Sequence, residues 1–186
     1  MSELQTITMQ QLQKMGGKIA RNQQSYIVSQ LLLKHWLLSI HDCTYGQGRF
    51  YTLIRDRLIF LSGGDIRIWI PWLVKPDLFI LKPVWKQYDV LKYLNVKFDV
   101  VVIDPPFSPY NRGQEKRKYY LPSEGLGTPT RIIISGIQLA RLLNVPYILL
   151  HYNRLQGFGL DIIDGYEYIY RLYGHTQKSY FLLLKV

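Results

Sequence analysis

Apolar residues in this chain are gathered into short runs that stop at Gly, Pro or Asp, and the segments between them carry helical spacing. Trp36–Asp42, Pro76–Leu81, Val100–Ile103 and Pro146–His151 have strand length and are dominated by aliphatic residues, so each predicts a strand. Val100–Ile103 is β-branched without polar alternation, which suits a central parallel strand covered on both faces. Tyr26, Ile27, Leu31 and Leu32 predict a helix over Asn22–His35 after a break at Gly16-Gly17, and Ile133, Ile137, Leu139 and Ala140 predict another over Thr130–Leu143. Leu58–Leu61 and Ile66–Ile70 flank Ser62-Gly63-Gly64-Asp65, which reads as a hairpin inserted after the first strand. Tyr166–Tyr173 and Ser179–Val186 predict a closing pair of strands joined by Gly174–Lys178. Strands alternating with helices imply a mostly parallel α/β sheet.

The Val100–Ile103 run breaks at Asp104-Pro105-Pro106-Phe107. Neither proline can donate to a ladder and each fixes φ, so the chain must leave the strand in a stiff turn with Asp104 at the carboxyl edge of the sheet. Ligands of open α/β sheets bind at that edge. Near the first strand, Asp42-Cys43-Thr44-Tyr45-Gly46-Gln47-Gly48 has the strand, glycine turn, helix order, with Gly46 and Gly48 available for positive φ and for close approach of a ligand. A third glycine of the dinucleotide fingerprint is missing because position 51 is Tyr, and no Gly-Lys-Ser/Thr of a P-loop is present.

The Asp-Pro-Pro-Phe quartet resembles the motif of S-adenosylmethionine-dependent amino-methyltransferases, which act on adenine N6, cytosine N4 and some protein amines. The resemblance covers roughly residues 36–186 and implies an α/β Rossmann-like methyltransferase fold: a mostly parallel seven-stranded sheet, an antiparallel C-terminal hairpin, and helices on both faces. It also implies roles. Asp104 and the Pro105 carbonyl would accept the N–H bonds of an exocyclic amine, whose lone pair is otherwise conjugated with its ring, while Pro106 stiffens the turn and Phe107 stacks on that ring. Asp42, Cys43, Thr44, Tyr45, Gly46 and Gly48 would wrap the methionine part of S-adenosylmethionine. Asp89, at the end of a short Trp85–Leu91 strand, would accept from its adenine amino group; the same residue also reads as the N-cap of a helix over Val90–Leu94. The acid that binds the cofactor's ribose would close the second core strand, and with Pro76–Leu81 as that strand the position falls on Lys82, a cation that accepts no hydroxyl bonds. Asp77 and Asp65 are the nearest acids. Asn22–Tyr26 stands where the family closes over the methionine end.

Between Phe107 and the Thr130 helix lies a long segment, residues 108–127, that carries Arg112, Lys116, Arg117 and Lys118 with Tyr110, Tyr119 and Tyr120. Cations to neutralise phosphates and rings to stack on bases make it a candidate nucleic-acid loop; a solvated charged loop is the plain alternative. Composition sharpens this. The formal net charge of +10 and 14% aromatic residues in 186 favour a polyanionic partner and fit one domain. One cysteine excludes an internal disulfide, the four histidines lack metal-ligand spacing, and no signal peptide or long apolar span is visible, so an intracellular, cytoplasmic protein is expected. The expected activity is methyl transfer to an exocyclic amine of DNA or RNA, adenine N6 first, with a partner subunit possible for target recognition. Two alternatives stay open: a protein Lys or Gln N-methyltransferase, and a non-catalytic nucleic-acid-binding module whose cofactor pocket Lys82 has spoiled.

Overall fold

The computed structural model describes residues 4–14, 23–66, 68, 71–105, 129–172 and 174–186. In chain order these form β1 (Gln5–Thr8), α1 (Met9–Lys14), α2 (Gln23–Lys34), β2 (Ser39–Asp42), two 3₁₀ turns (Arg49–Tyr51 and Arg55–Arg57), β3 (Phe60–Asp65), β4 (Leu78–Leu81), α3 (Val84–Leu91), β5 (Val100–Ile103), α4 (Pro129–Leu142), β6 (Tyr147–Tyr152), β7 (Asp161–Leu172) and β8 (His175–Lys185). The strands make one sheet of order β1-β7-β8-β6-β5-β2-β3-β4. All pairings are parallel except the two made by β8. The family's seven-stranded arrangement is present with one strand added, because Gln5–Thr8 extends the edge against Tyr166–Ile169 of β7. That polar segment lacks the apolar run that announces a strand; β7 supplies the ladder that makes it one.

Both faces of the sheet are covered, as the unalternated β5 run requires. Val100 and Val102 point into a cluster with Ile27, Val28, Leu31 and Leu32 of α2, whereas Val101 and Ile103 point into one with Val84 and Leu91 of α3 and Ile133, Ile137 and Ala140 of α4. Gly136 is what brings α4 so close: a Cβ there would lie 2.4 Å from Ile103 Cδ1.

Three expectations are corrected here. The hairpin turn expected at Ser62–Asp65 is not formed: Phe60–Asp65 is a single parallel strand beside β2, with Ser62 opposite His41 and Gly63 opposite Asp42, while most of the expected second arm, Ile66–Ile70, lies outside the described residues. Its glycines are there to be covered, not to turn. A Cβ on Gly63 would lie 2.6 Å from the Tyr45 ring, and one on Gly64 would lie 2.4 Å from the Gln87 amide. Consequently Pro76–Leu81 supplies the third core strand, at the edge, and the second ends at Asp65. Next, Trp85–Leu91 is helical, not a strand, with Pro83 as N-cap (φ −62°, ψ 154°). Its buried face is Val84, Gln87 and Leu91, and the polar Gln87 in the middle hides the helical period from a hydropathy reading. Last, the closing hairpin is longer than expected, pairing Leu172 with His175. It outruns β6, whose Tyr152 faces Tyr180, so residues of β8 before Tyr180 stand past the carboxyl end of β6.

Among the described residues no helix is long and apolar enough to cross a membrane, and no group of three or more His, Cys, Asp or Glu side chains is placed to hold a metal ion.

Candidate active site at the carboxyl edge

The chain leaves β2 toward β3 on one side, and β5 lies on the other, so the order of strands reverses at β2 and a crevice opens above its carboxyl end. Four strand ends meet there. β2 contributes Asp42, β3 contributes Asp65, β5 runs into Asp104, and β6 contributes His151; the β5–β6 register, Ile103 opposite Leu150, sets Asp104 beside His151.

A chain of hydrogen bonds crosses these ends. The Asp104 N–H donates to Thr44 Oγ1 (2.6 Å), and the Thr44 hydroxyl and N–H both donate to Asp42 Oδ1 (3.3 and 2.9 Å). Asp42 Oδ2 accepts from the Tyr51 hydroxyl at 2.7 Å. On the other flank, His151 Nδ1 lies 2.9 Å from Asp104 Oδ1 and its Nε2 lies 3.0 Å from Ser179 Oγ. The Asp104 side chain is one-third exposed, at 34%, and the His151 side chain only 6%. Of the Asp104–His151 pair, Asp104 is therefore the one that a substrate can touch.

Burial sets the ionisation of the supporting groups. Asp42 is 2% exposed, and removal from water pushes its carboxyl up to about 7; the Tyr51 and Thr44 bonds pull the other way and the nearby Asp104 charge adds to the rise. His41 is fully buried, and desolvation pulls it down to about 4 against the opposing pull of its Gln87 bond. It is thus neutral, donating from Nε2 to Gln87 Oε1 (2.8 Å) and accepting at Nδ1 from Ser62 (3.1 Å). The Gln87 amide then donates to the carbonyls of Cys43 (3.1 Å) and Lys82 (2.9 Å), which ties the ends of β2 and β4 together beneath the crevice.

The glycine turn takes the conformation expected of it, with Gly46 at φ 57° and Gly48 at φ 73°, but the two glycines differ in purpose. Gly46 has open space where a Cβ would be, its nearest neighbour being the Thr44 carbonyl at 4.0 Å. A Cβ on Gly48 would instead strike the Tyr45 hydroxyl at 2.5 Å and the Val74 carbonyl at 2.6 Å. Only Gly46 leaves room for a ligand.

Tyr45 lies under the turn, its hydroxyl bonded to the Val74 carbonyl (2.8 Å) and its ring stacked on Tyr51 at 5.7 Å. Cys43 is likewise buried, with its Sγ 3.2 Å from the Val102 carbonyl. So of the residues assigned to the cofactor turn, Asp42, Cys43, Tyr45 and Gly48 build it from below, while Thr44 and Gly46 are partly open. A Gly63→Ala variant should unfold about 1–3 kcal/mol more readily in urea, because the added methyl must displace the Tyr45 ring that carries the turn. Unchanged stability would mean Tyr45 yields freely.

Asp89 is displaced from its expected place. It lies on α3 instead of at a strand end, its side chain 70% exposed and 4.0 Å from Lys92 Nζ, so neither the strand-end geometry nor an N-cap position is realised. Asp65, not Lys82, closes the second core strand, and Asp65 Oδ2 accepts the Gly46 N–H at 3.0 Å. The sequence signal for Asp65 was an acid at the end of an apolar run, obscured by Gly63-Gly64. His151, one of the histidines without metal-ligand spacing, follows the apolar run of β6 just as Asp104 follows that of β5. Pro105 is buried behind Asp104. Pro106, Phe107 and the segment with Tyr110, Arg112, Lys116, Arg117, Lys118 and Tyr119 lie outside the described residues. Of Asn22–Tyr26, the described part packs on the turn through Ser25, whose hydroxyl donates to the Phe50 carbonyl at 2.9 Å.

No protein-family model matches the sequence, and no curated protein matches it. Solved structures do match in fold. A SAM-dependent methyltransferase from Agrobacterium tumefaciens is 14% identical with a TM-score of 0.50, covering 84% of this chain, which spans 61% of that one. Magnesium protoporphyrin IX methyltransferase from Synechocystis PCC 6803 with bound SAM is 14% identical with a TM-score of 0.49, over 90% of this chain and 81% of that one. The tRNA (uracil-54, C5)-methyltransferase of Pyrococcus abyssi in complex with S-adenosyl-L-homocysteine is 16% identical with a TM-score of 0.46, over 86% of this chain and 38% of that one. The Agrobacterium likeness, together with the strand order, gives the chain a methyltransferase-like α/β fold.

Proposed function

We propose that this chain is an S-adenosylmethionine-dependent methyltransferase acting on an exocyclic amine of nucleic acid, with adenine N6 in DNA or RNA as the first acceptor to test. The observation that carries the reading is the 2.6 Å bond from the Asp104 N–H to Thr44 Oγ1, which joins the acid of the Asp-Pro-Pro turn to the glycine turn across the strand-order reversal. Two jobs that an enzyme of this kind must hold in fixed relation are thereby set in one rigid unit.

The residues present fit the cofactor. Gly46 leaves open space at a positive-φ position, the Thr44 hydroxyl flanks it, and Asp65 stands at the end of β3 beside the Gly46 N–H, where it would hold the ribose hydroxyls. When bound, the cofactor supplies an electrophilic methyl group on a sulfonium that leaves readily. The chain's own task is then proximity and amine orientation. Asp104 and the Pro105 carbonyl accept the two N–H bonds of the amine and leave its lone pair directed away from them, and Phe107 holds the ring. In a duplex the base must first leave the stack, at a cost of a few kcal/mol. The net charge of +10 supports a polyanionic acceptor over a protein amine. Asp65 at the end of β3, where the sequence had suggested Lys82, supports a catalytic reading over the non-catalytic alternative.

Calorimetry with S-adenosylmethionine and S-adenosylhomocysteine, followed by labelled-methyl transfer to DNA and RNA with nuclease controls, tests the reading. Micromolar binding and nuclease-sensitive label are expected; absence of binding to a folded protein refutes it. Replacing Lys116, Arg117 and Lys118 together with Ala should raise the apparent KM for nucleic acid and flatten its salt dependence. The expected change in slope is roughly 0.7–0.9 log unit per log unit of salt for each phosphate no longer neutralised. An unchanged slope returns that segment to solvated surface.

A further inference from the structure

Ser179 Oγ, His151 and Asp104 are connected in the order and through the same ring nitrogens as a Ser-His-Asp hydrolytic triad: Nε2 to the serine at 3.0 Å and Nδ1 to the carboxylate at 2.9 Å. Access reverses the roles. In a hydrolase the serine faces the substrate and the acid is buried, whereas here Ser179 is 1% exposed and the Asp104 side chain is 34% exposed. No acyl group can reach Ser179. The reacting end of this chain is the carboxylate.

The imidazole is also held against rotation. Its ring stacks on Phe181 with centroids 4.0 Å apart and 7° between planes, and the edge of Phe50 closes on it at 5.9 Å. The antiparallel register dictates this, because His151 faces Phe181 across the β6–β8 ladder and Ser179, two residues along, shares that face. Bonds at opposite nitrogens select one of the two ring flips. With the Ser179 hydroxyl donating to Nε2, the ring proton sits on Nδ1 and is donated to Asp104 Oδ1.

We infer that His151 is a positioning residue: anchored by Ser179 and Phe181, it fixes the rotation of the Asp104 carboxylate so that the acid meets the acceptor amine in one orientation. This deepens the proposed methyl transfer and rests on it for the identity of the acceptor, but the His151–Asp104 couple is testable without turnover. With its Nδ1–H engaged by Asp104, His151 orients the acid, and the proton that the amine releases passes to the exposed Asp104 carboxylate and from there to solvent.

The experiment pairs imidazole ¹⁵N NMR with kinetics on the full chain. The wild-type His151 is expected with its proton on Nδ1, and D104A should shift its Nδ1 resonance while leaving the fold intact. An Nε2–H tautomer, or His151 signals indifferent to D104A, overturns the inference whether or not any methyl transfer is found. In kinetics, H151L should lower kcat about 10–100-fold, with the KM for S-adenosylmethionine within about twofold of wild type. H151N, whose amide N–H stands near the place of Nδ1–H, should recover most of that loss, and S179A should cost less than H151L. H151L with wild-type kcat also overturns it. The expected NMR result with no turnover by wild-type protein on DNA or RNA would refute the methyl-transfer reading and leave the couple as assigned.

Discussion

Asp104→Ala should cut methyl transfer to nucleic acid by about 10²–10³-fold while S-adenosylhomocysteine binds as before. The expectation follows from where Asp104 stands in its network. Its backbone N–H, which the substitution keeps, is what bonds to Thr44 and thereby to the glycine turn. Its carboxylate, which the substitution removes, bonds to His151 and is the exposed end of the chain. The two functions of the residue are thus separable by one change. Labelled-methyl incorporation measures the first and calorimetry the second. Turnover near the wild-type rate would show that another group orients the amine, and loss of both readouts would show that the variant had disturbed the turn.

Asp42→Asn should change stability with a sign that depends on pH. The carboxyl of Asp42 has its folded value pushed up to about 7 by burial, against about 4 in an unfolded chain. For such a group the stabilisation is fully present below about pH 4 and is lost as pH rises through 7, because the folded site must then hold a desolvated charge. The full shift corresponds to about 4 kcal/mol at pH 8. Asparagine never ionises, so it removes that loss. It also fits Tyr51 and Thr44 less well: both donate to Asp42 at present, and an amide can accept from only one side, which costs about 1 kcal/mol. The variant should therefore be less stable than wild type by somewhat under about 1 kcal/mol near pH 3.5, cross it between about pH 4 and 5, and be more stable by about 3 kcal/mol at pH 8, in urea titrations without cofactor. Equal stability at both pH values would place Asp42 in a wetter site than the structure gives it. A buried acid that weakens the protein at neutral pH is also what a binding site for a cationic ligand retains at the expense of stability.

How far the chain could be read before folding depended on whether a residue's neighbours were local. Val100–Ile103 and the Asp104-Pro105 break were plain because hydrophobic run and proline geometry are properties of the segment itself. Gly46 was legible for the same reason, since positive φ is demanded by the turn. The errors share one cause. Gly63-Gly64 looked like a turn because nothing in the sequence says that Tyr45 and Gln87 will cover those positions. Gln87 hid the period of α3 because its partners, His41 and the carbonyls of Cys43 and Lys82, come from other strands. Asp89 was set at a strand end because the helical period of α3 was hidden, and Lys82 at the end of a second core strand that Asp65 closes.

By itself, then, the sequence determined the α/β class, the buried central strand, and the two places where the chain must break at the edge of the sheet, because periodicity, proline and glycine act through the backbone of their own segment. Only the tertiary structure decided which acids and which histidine meet at that edge. Asp42, Asp65, Asp104 and His151 are brought together by strand order and register, and burial then set which of them is buried with its charge suppressed, as Asp42 is, and which is left open to a substrate, as Asp104 is.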